Sequence, residues 1–334
     1  MFNVALFGAG RIGQIHARNA AASSDLHLKY IVDPNAEAAD SLARRTGAVV
    51  VDADAALGDA AISGVIIASA TNVHLDQALR AVAAGKSIFC EKPLDLDLER
   101  ARGAQAQLQS AALLMGFNRR FDPHFQALKS RLDAGVIGRL ESLSIISHDP
   151  APPPIEYIRI SGGLFKDMAI HDFDMARWLM GEEADEVFSS ASCLIDPDIA
   201  GAGDVDTAKT ILRTASGRLC VISNSRRSAY GYDQRIEAYG AAGSLRADNV
   251  MESTVSSWGE RGSSSDALQN FFLDRYAEAY RREMAHFAAI LRRETAPAVG
   301  YRDAVEALAL AEAAGLSVKL NKPIRVLSPV RGAT

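Results

Sequence analysis

Three side chains that can hold or move a proton recur at a helical interval: Asp167, His171 and Asp174. Spaced i, i+4 and i+7, they share one face of a helix. Around them stand Met168, Ile170, Phe173, Met175, Trp178 and Leu179, so most of that helix seeks burial. Keeping carboxylates and an imidazole in such a setting is costly. The cost points to a cleft where a proton changes hands. A solvated polar face accounts for the same spacing, and on this segment alone the two readings stand level.

A second chemistry-bearing residue is Lys92 in Glu91-Lys92-Pro93. It follows an apolar strand pattern and precedes a proline that stiffens the turn. Taken by itself, it reads as a surface Lys–Glu pair at a strand end. Its meaning depends on what lies beside it, and therefore on the elements that carry it.

Those elements begin with Asn3–Phe7, a short buried strand pattern that runs into Gly8-Ala9-Gly10-Arg11-Ile12-Gly13 and then a helical stretch to Ala22. This is G-x-G-x-x-G in its meaningful context of strand, tight turn and helix start. Gly8 permits the turn, Gly10 lets the backbone approach a pyrophosphate, and Gly13 lets helix and strand pack closely. The free N–H groups of the helix start face the phosphates. The next strand pattern, Leu28–Val32, ends at Asp33, about 20 residues after Gly13, the usual distance for bonding a ribose 2′-hydroxyl. A carboxylate there repels a 2′-phosphate, so NAD is favoured over NADP. Asp33 also reads as a helix N-cap ahead of Pro34, and the two roles are compatible.

Alternation of strand and helix continues. A helix over Ala36–Thr46 leads to Val49–Val51, and Val65–Ala68 is followed by Thr71-Asn72-Val73-His74 and a helix over Leu75–Ala84. Lys86–Cys90 and Leu113–Phe117 complete the strands. Successive βα units imply an α/β domain with a doubly wound parallel sheet, its ligands at the carboxyl ends of the strands. Asp33, Thr71, Asn72 and Lys92 all fall at such ends. That placement beside the nicotinamide crevice raises Lys92 above an ordinary surface pair.

A boundary near Arg120 divides the chain into a Rossmann domain, 1–120, and a second domain, 121–334. In the second, a helix runs from Pro123 to about Gly135. Pro152-Pro153-Pro154 forms a rigid loop before Tyr157 and the Gly162-Gly163 turn. The period then changes to two. Glu186–Ile195, Thr207–Thr214, Arg218–Asn224, Gln234–Tyr239 and Ser253–Trp258 read as strands, and Asp274–Arg293 and Arg302–Val318 as amphipathic helices. The expectation is an α+β domain with a large, mostly antiparallel open sheet. Several strands are apolar on both faces, which marks the second face as an oligomer interface.

Composition removes other classes. A net charge of −5 over 334 residues leaves no basic field for nucleic acid or an anionic membrane surface. Cys90, Cys193 and Cys220 are far apart, which fits a reducing compartment and rules out a cysteine-built zinc site. With no charged leader and no apolar run of spanning length, the cytoplasm is the expected location. Metal-dependent hydrolysis through Asp167, His171 and Asp174 lacks a second histidine at ligand spacing and leaves the glycine fingerprint unexplained. No metal is expected.

The motifs Gly8–Gly13, Glu91-Lys92-Pro93, Asn118-Arg119-Arg120-Phe121-Asp122 and Gly162-Gly163…Asp167…His171-Asp172…Asp174 together resemble the Gfo/Idh/MocA oxidoreductase family. The resemblance covers almost the whole chain, including Arg275-Tyr276…Ala279-Tyr280…Glu283. Within the family the chain is most similar to inositol 2-dehydrogenases. The resemblance implies a catalytic triad of Lys92, Asp167 and His171, and a polyol site lined by Arg119, His148, Asp174 and Tyr232. The expected NAD contacts are Gly8, Gly10, Arg11, Ile12, Gly13, Asp33, Thr71, Asn72, His74 and Glu91. It also implies a homo-oligomer, a tetramer. The expected reaction is oxidation of myo-inositol to 2-keto-myo-inositol (scyllo-inosose), with His171 as base. An imidazole, whose ordinary pKa is about 6.5, suits that work near neutrality. Alternatives are an NAD(P)-dependent dehydrogenase of another inositol isomer or a pyranose, and a non-catalytic NAD-sensing regulator.

Overall fold

The protein is described by a computed structural model over residues 1–326; positions 327–334 lie outside the described residues. It forms two compact units. One is Met1–Phe121 with Glu278–Glu306, and the other is Asp122–Ala277 with the residues from Ala307 on. A single cut near Arg120 would assign Glu278–Glu306 to the second domain, but these residues pack with the first. The reason is apolar. In the helix Ala277–Leu291, Phe287 is fully buried, with its ring edge-on to Phe89 at 6.0 Å. The Phe287 ring also fills the space a Cβ on Gly64 would occupy, 2.8 Å away.

The first unit holds six parallel strands: β1 (Phe2–Phe7), β2 (Leu26–Val32), β3 (Val49–Val50), β4 (Ile62–Ile67), β5 (Ser87–Glu91) and β6 (Leu113–Gly116). Their order is β3-β2-β1-β4-β5-β6. Val4–Phe7, Val65–Ile67 and Ile88–Cys90 are wholly buried, as strands covered on both faces must be. The order reverses between β1 and β4, which opens a crevice at their carboxyl ends. Gly8 follows β1, Thr71 opens a short 3₁₀ turn after β4, and Lys92 is the first residue past β5.

The second unit is built on a seven-stranded sheet. Its strands are β7 (Leu140–His148), β8 (Ala184–Ser192), β9 (Thr207–Thr214), β10 (Leu219–Ser225), β11 (Asp233–Gly240), β12 (Gly243–Ala247) and β15 (Ile324–Arg325). The order is β12-β11-β7-β10-β9-β8-β15. Every neighbouring pair is antiparallel except β7 with β10, which is parallel. A small hairpin, β13 (Ser256–Gly259) with β14 (Gly262–Ser265), stands outside the sheet. The helix Ile170–Met180 packs on β7. The opposite face exposes Ile211, Leu219, Val221 and Tyr239. Central strand β7 is absent from the sequence reading, because Leu140-Glu141-Ser142-Leu143-Ser144 alternates with too few apolar side chains to stand out.

Candidate active site

The first unit supplies a dinucleotide cradle. Gly8 has φ +104°, and a Cβ there would lie 2.3 Å from the Ala68 carbonyl oxygen. A Cβ on Gly13 would lie 1.9 Å from the Gly8 carbonyl oxygen, so strand and helix approach as only glycine allows. Gly10, by contrast, is exposed and has open space where its Cβ would stand. That is the position where a pyrophosphate needs access to backbone. The helix Arg11–Ala21 starts at Gly10 with no side-chain cap, leaving its first N–H groups to a ligand. The residues therefore fit a dinucleotide.

Asp33 faces this loop. One carboxylate oxygen accepts from the Ala9 N–H at 2.6 Å and the other from the Asn35 N–H at 2.7 Å. The helix cap is not Asp33 but Asn35, whose side chain accepts from the Ala38 N–H at 3.1 Å. Asp33 thus braces the glycine loop and remains half-buried at its rim. Thr71 is half-buried and Asn72 exposed beyond β4, both within reach of solvent.

Two of the expected cofactor contacts turn inward instead. His74 is buried, with Nδ1 2.8 Å from the Pro93 carbonyl oxygen and Nε2 3.1 Å from that of Ser69. Burial pushes its pKa down, against the upward pull of the two carbonyls. Glu91 is 2.6 Å from Nε2 of the buried His16. Both side chains are occupied by protein. Lys92, between Glu91 and Pro93, is half-buried at the strand end, and the Lys92–Pro93 peptide is cis. Arg119 is buried in the 3₁₀ turn Asn118–Phe121, where its neighbour Arg120 pairs with Asp303 at 2.8 Å.

The second unit carries the acid and imidazole stripe. Asp167 lies in a π-helical turn, Phe165–Ala169, that continues into the α-helix Ile170–Met180. The stripe therefore spans two kinds of helix, and π turns often occur at functional positions. Asp167 and His171 are half-buried, whereas Asp172 and Asp174 are fully buried. Asp172 accepts from the Asn224 amide at 2.7 Å, and Asp174 faces Arg177 at 3.7 Å.

Asp167 has two holders that periodicity did not disclose. The Tyr157 hydroxyl donates to it at 2.9 Å, and the buried Arg226 guanidinium faces it at 3.9 Å. Arg226 also pairs with Asp204 at 3.1 Å, and Asp204 accepts from the Leu164 N–H at 3.0 Å. Gly163, at φ +79°, leaves room for that carboxylate, which a Cβ would meet at 2.7 Å. The Gly162-Gly163 signal visible in the sequence thus serves the seating of Asp204.

Tyr232 is buried edge-on to Tyr276 at 6.0 Å. His148 pairs directly with Asp233 in the sheet register and bonds Ser223 at 2.9 Å. Side chains alternate along a strand, so His148 shares the open face with Val221, while Asn224 and its partner Asp172 lie on the covered one. His148 ends its strand, where Asp172 of the stripe's helix still acts on it electrostatically. Burial lowers its pKa, with Asp233 pulling the other way. Among the described residues, no group of three or more His, Cys, Asp and Glu side chains is placed to hold a metal ion.

Comparison with known proteins agrees with this geometry. Residues 2–118 match the oxidoreductase family with an NAD-binding Rossmann fold, and residues 125–246 match the GFO/IDH/MocA C-terminal domain. An inositol 2-dehydrogenase of Rhizobium meliloti (strain 1021) is 45% identical over 96% of this chain and 98% of its own length. The chain belongs to the Gfo/Idh/MocA oxidoreductase family. As a member of that family it is an NAD-dependent dehydrogenase. The fold is shared with a myo-inositol dehydrogenase from Corynebacterium glutamicum, at TM-score 0.94 and 42% identity over 98% of this chain and 99% of that one. It is also shared with a scyllo-inositol dehydrogenase from Lactobacillus casei with bound NAD(H) and scyllo-inositol, at TM-score 0.91 and 28% identity over 98% and 99%. No helix among the described residues of this Gfo/Idh/MocA protein is long and apolar enough to cross a membrane.

Proposed function

We propose that this enzyme oxidises a secondary alcohol of a cyclic polyol to the ketone, with myo-inositol as substrate and scyllo-inosose as product. The observation that carries the reading is the seating of Asp167. A carboxylate steadied by Tyr157 and Arg226 stands one turn before a half-buried His171, on a chain whose other unit is built for a dinucleotide. The 45% identity to an inositol 2-dehydrogenase supports the choice of polyol.

Bound NAD supplies the hydride acceptor. Gly8, Gly10, Arg11, Ile12 and Gly13 would hold its pyrophosphate and Asp33 its ribose, and Thr71 and Asn72 would line the crevice beyond. His171 removes the hydroxyl proton as general base. Asp167 accepts from the imidazole, orients it and stabilises the imidazolium. Lys92 donates to the substrate oxygen and stabilises the alkoxide charge as it develops. An uncharged polyol offers no carboxylate to clamp, so hydrogen bonds to its hydroxyls must supply specificity. Arg119, His148, Asp174 and Tyr232 are the residues proposed for that task.

The same reading places the enzyme in the cytoplasm as a homo-oligomer, a tetramer. Its open sheet face supports association: Ile211 and Val221 are register partners there, both exposed. Gel filtration with light scattering tests the assembly. NAD reduction across inositol isomers and pyranoses tests the substrate, and turnover confined to a pyranose would replace the inositol reading.

A further inference from the structure

The turn that presents Lys92 is held on both sides by buried histidines. Ahead of it, the Glu91 carboxylate lies 2.6 Å from Nε2 of His16. That carboxylate is pressed against β6, where a Cβ on Gly116 would meet its Oε2 at 2.9 Å. After it, the Pro93 carbonyl lies 2.8 Å from Nδ1 of His74, whose other nitrogen reaches the Ser69 carbonyl beyond β4. His16 is itself wedged edge-on between Phe89 at 4.7 Å and Tyr280 at 5.8 Å. Neither imidazole is accessible: His16 is 0% and His74 2% exposed. Rotamers locked this way transmit position rather than absorb it.

We propose that His16 and His74 are positioning residues for Lys92, each fixing one flank of the Glu91-Lys92-Pro93 turn. This rests on the reading of Lys92 as the cation that meets the substrate oxygen. His16 acts through the Glu91 carboxylate and His74 through the Pro93 carbonyl, so neither touches substrate. Of the residues involved, His74 and Glu91 are expected cofactor contacts, whereas His16 carries no role in the sequence; all three side chains bond the turn or its neighbours.

A third group completes the arrangement. Glu283 is wholly buried on the returning helix Ala277–Leu291, and neither of its oxygens has a hydrogen-bond partner among the described residues. An ionised carboxylate cannot persist there. Burial, and then the charge of Glu91, raises its pKa well above the usual carboxylate range. Burial thus favours the neutral form of Glu283, and the contact with His16 is made by Glu91. The charged and titratable groups gathered around the turn are His16, His74, Glu91, Lys92 and Glu283. The neutral isostere E283Q should accordingly behave as the native protein, whereas E91Q should not.

The test uses two readouts on the full chain. The first is the rate at which an amine-acylating reagent labels Lys92, read by peptide mass spectrometry against Lys29 and Lys86 as internal standards. The second is the split of kcat against the Kd for NAD. H74L and H16L should change Lys92 labelling severalfold while the other two lysines stay constant. They should lower kcat roughly tenfold to a hundredfold, with NAD affinity unchanged. H74Q and H16Q, which keep one donor, should recover much of both and serve where a leucine variant fails to fold. Unchanged Lys92 labelling in folded variants overturns the inference. So does a fall in NAD affinity that matches the fall in kcat, which would return these histidines to the cofactor. Labelling needs no turnover, so it decides this question even if K92A retains full activity and the reading of Lys92 itself fails.

Discussion

The hydroxyl of Tyr157 donates to Oδ1 of Asp167 across 2.9 Å, from a helix that begins directly after three prolines. This bond ties the carboxylate to a short helix, Ile155–Ser161, outside the stripe itself. Removing it in Y157F should lower kcat roughly tenfold to a hundredfold while leaving KM for NAD unchanged. A hydrogen bond to a carboxylate is worth about 1.5–3 kcal/mol, so a loss well beyond about a hundredfold would mean that Tyr157 also meets substrate. Steady-state kinetics with both substrates varied will separate these.

Arg226 should matter more. It is 1% exposed and faces both Asp167 and Asp204. R226M leaves two carboxylates without their buried cation, a change that costs about 3–5 kcal/mol where a buried pair is broken. Thermal melts should show a loss of that size, and restoring charge with R226K should recover only part of it, since lysine cannot face two carboxylates with one planar fork.

Two glycines of the same loop should separate folding from binding. G13A drives a Cβ to 1.9 Å from backbone and should lower the melting temperature sharply. G10A meets open space at φ −69° and should leave the melt unchanged while weakening NAD by tenfold or so, because it stands where the pyrophosphate approaches. Fluorescence titration beside a thermal melt reads both. If G10A bound NAD as the native chain does, the pyrophosphate would lie elsewhere.

Asp33 has a double role, as a brace for Ala9 and as the proposed ribose partner. D33A should weaken NAD roughly tenfold and narrow the preference for NAD over NADP. Titration of both cofactors checks this; an unchanged ratio would leave Asp33 with the brace alone.

Acid stability should depend on Asp206. Burial alone would raise its pKa, but the N–H groups of Leu194 and Ile195 and the hydroxyl of Thr207 hold it at about 2, below the ordinary 3.8. A folded-state pKa below the unfolded one gives stability that is complete above about pH 4 and is lost as pH falls toward 2. The contribution near neutrality is about 2 kcal/mol. D206N should therefore show a large deficit in urea melts at neutral pH, and the gap to the native protein should shrink at about pH 3.

Much of this molecule is readable from the chain. The glycine loop, the buried strands that end at Asp33 and Lys92, and the period-two strands Thr207–Thr214 and Asp233–Gly240 each follow from local pattern. What escaped depends on contacts distant in sequence. Phe287 returns to the first unit because Gly64 leaves it a seat, which no periodicity reveals. Asp167 falls in a π turn that a fixed helical period cannot represent. Arg226 and Tyr157 reach Asp167 from opposite directions along the chain, 59 residues after it and 10 before it. The bonds of His148 to Ser223 and its pairing with Asp233 likewise join strands far apart in the chain.

The central claim is that this chain moves a proton from a polyol hydroxyl to His171 as the hydride leaves for NAD. The most direct measurement is NADH absorbance on mixing the enzyme with NAD and myo-inositol, for the native chain beside H171A and K92A. The account predicts steady NADH formation by the native enzyme, and its near-complete loss in both variants with NAD still bound. Tight NAD binding without NADH from any inositol isomer would contradict it, as would undiminished turnover in H171A.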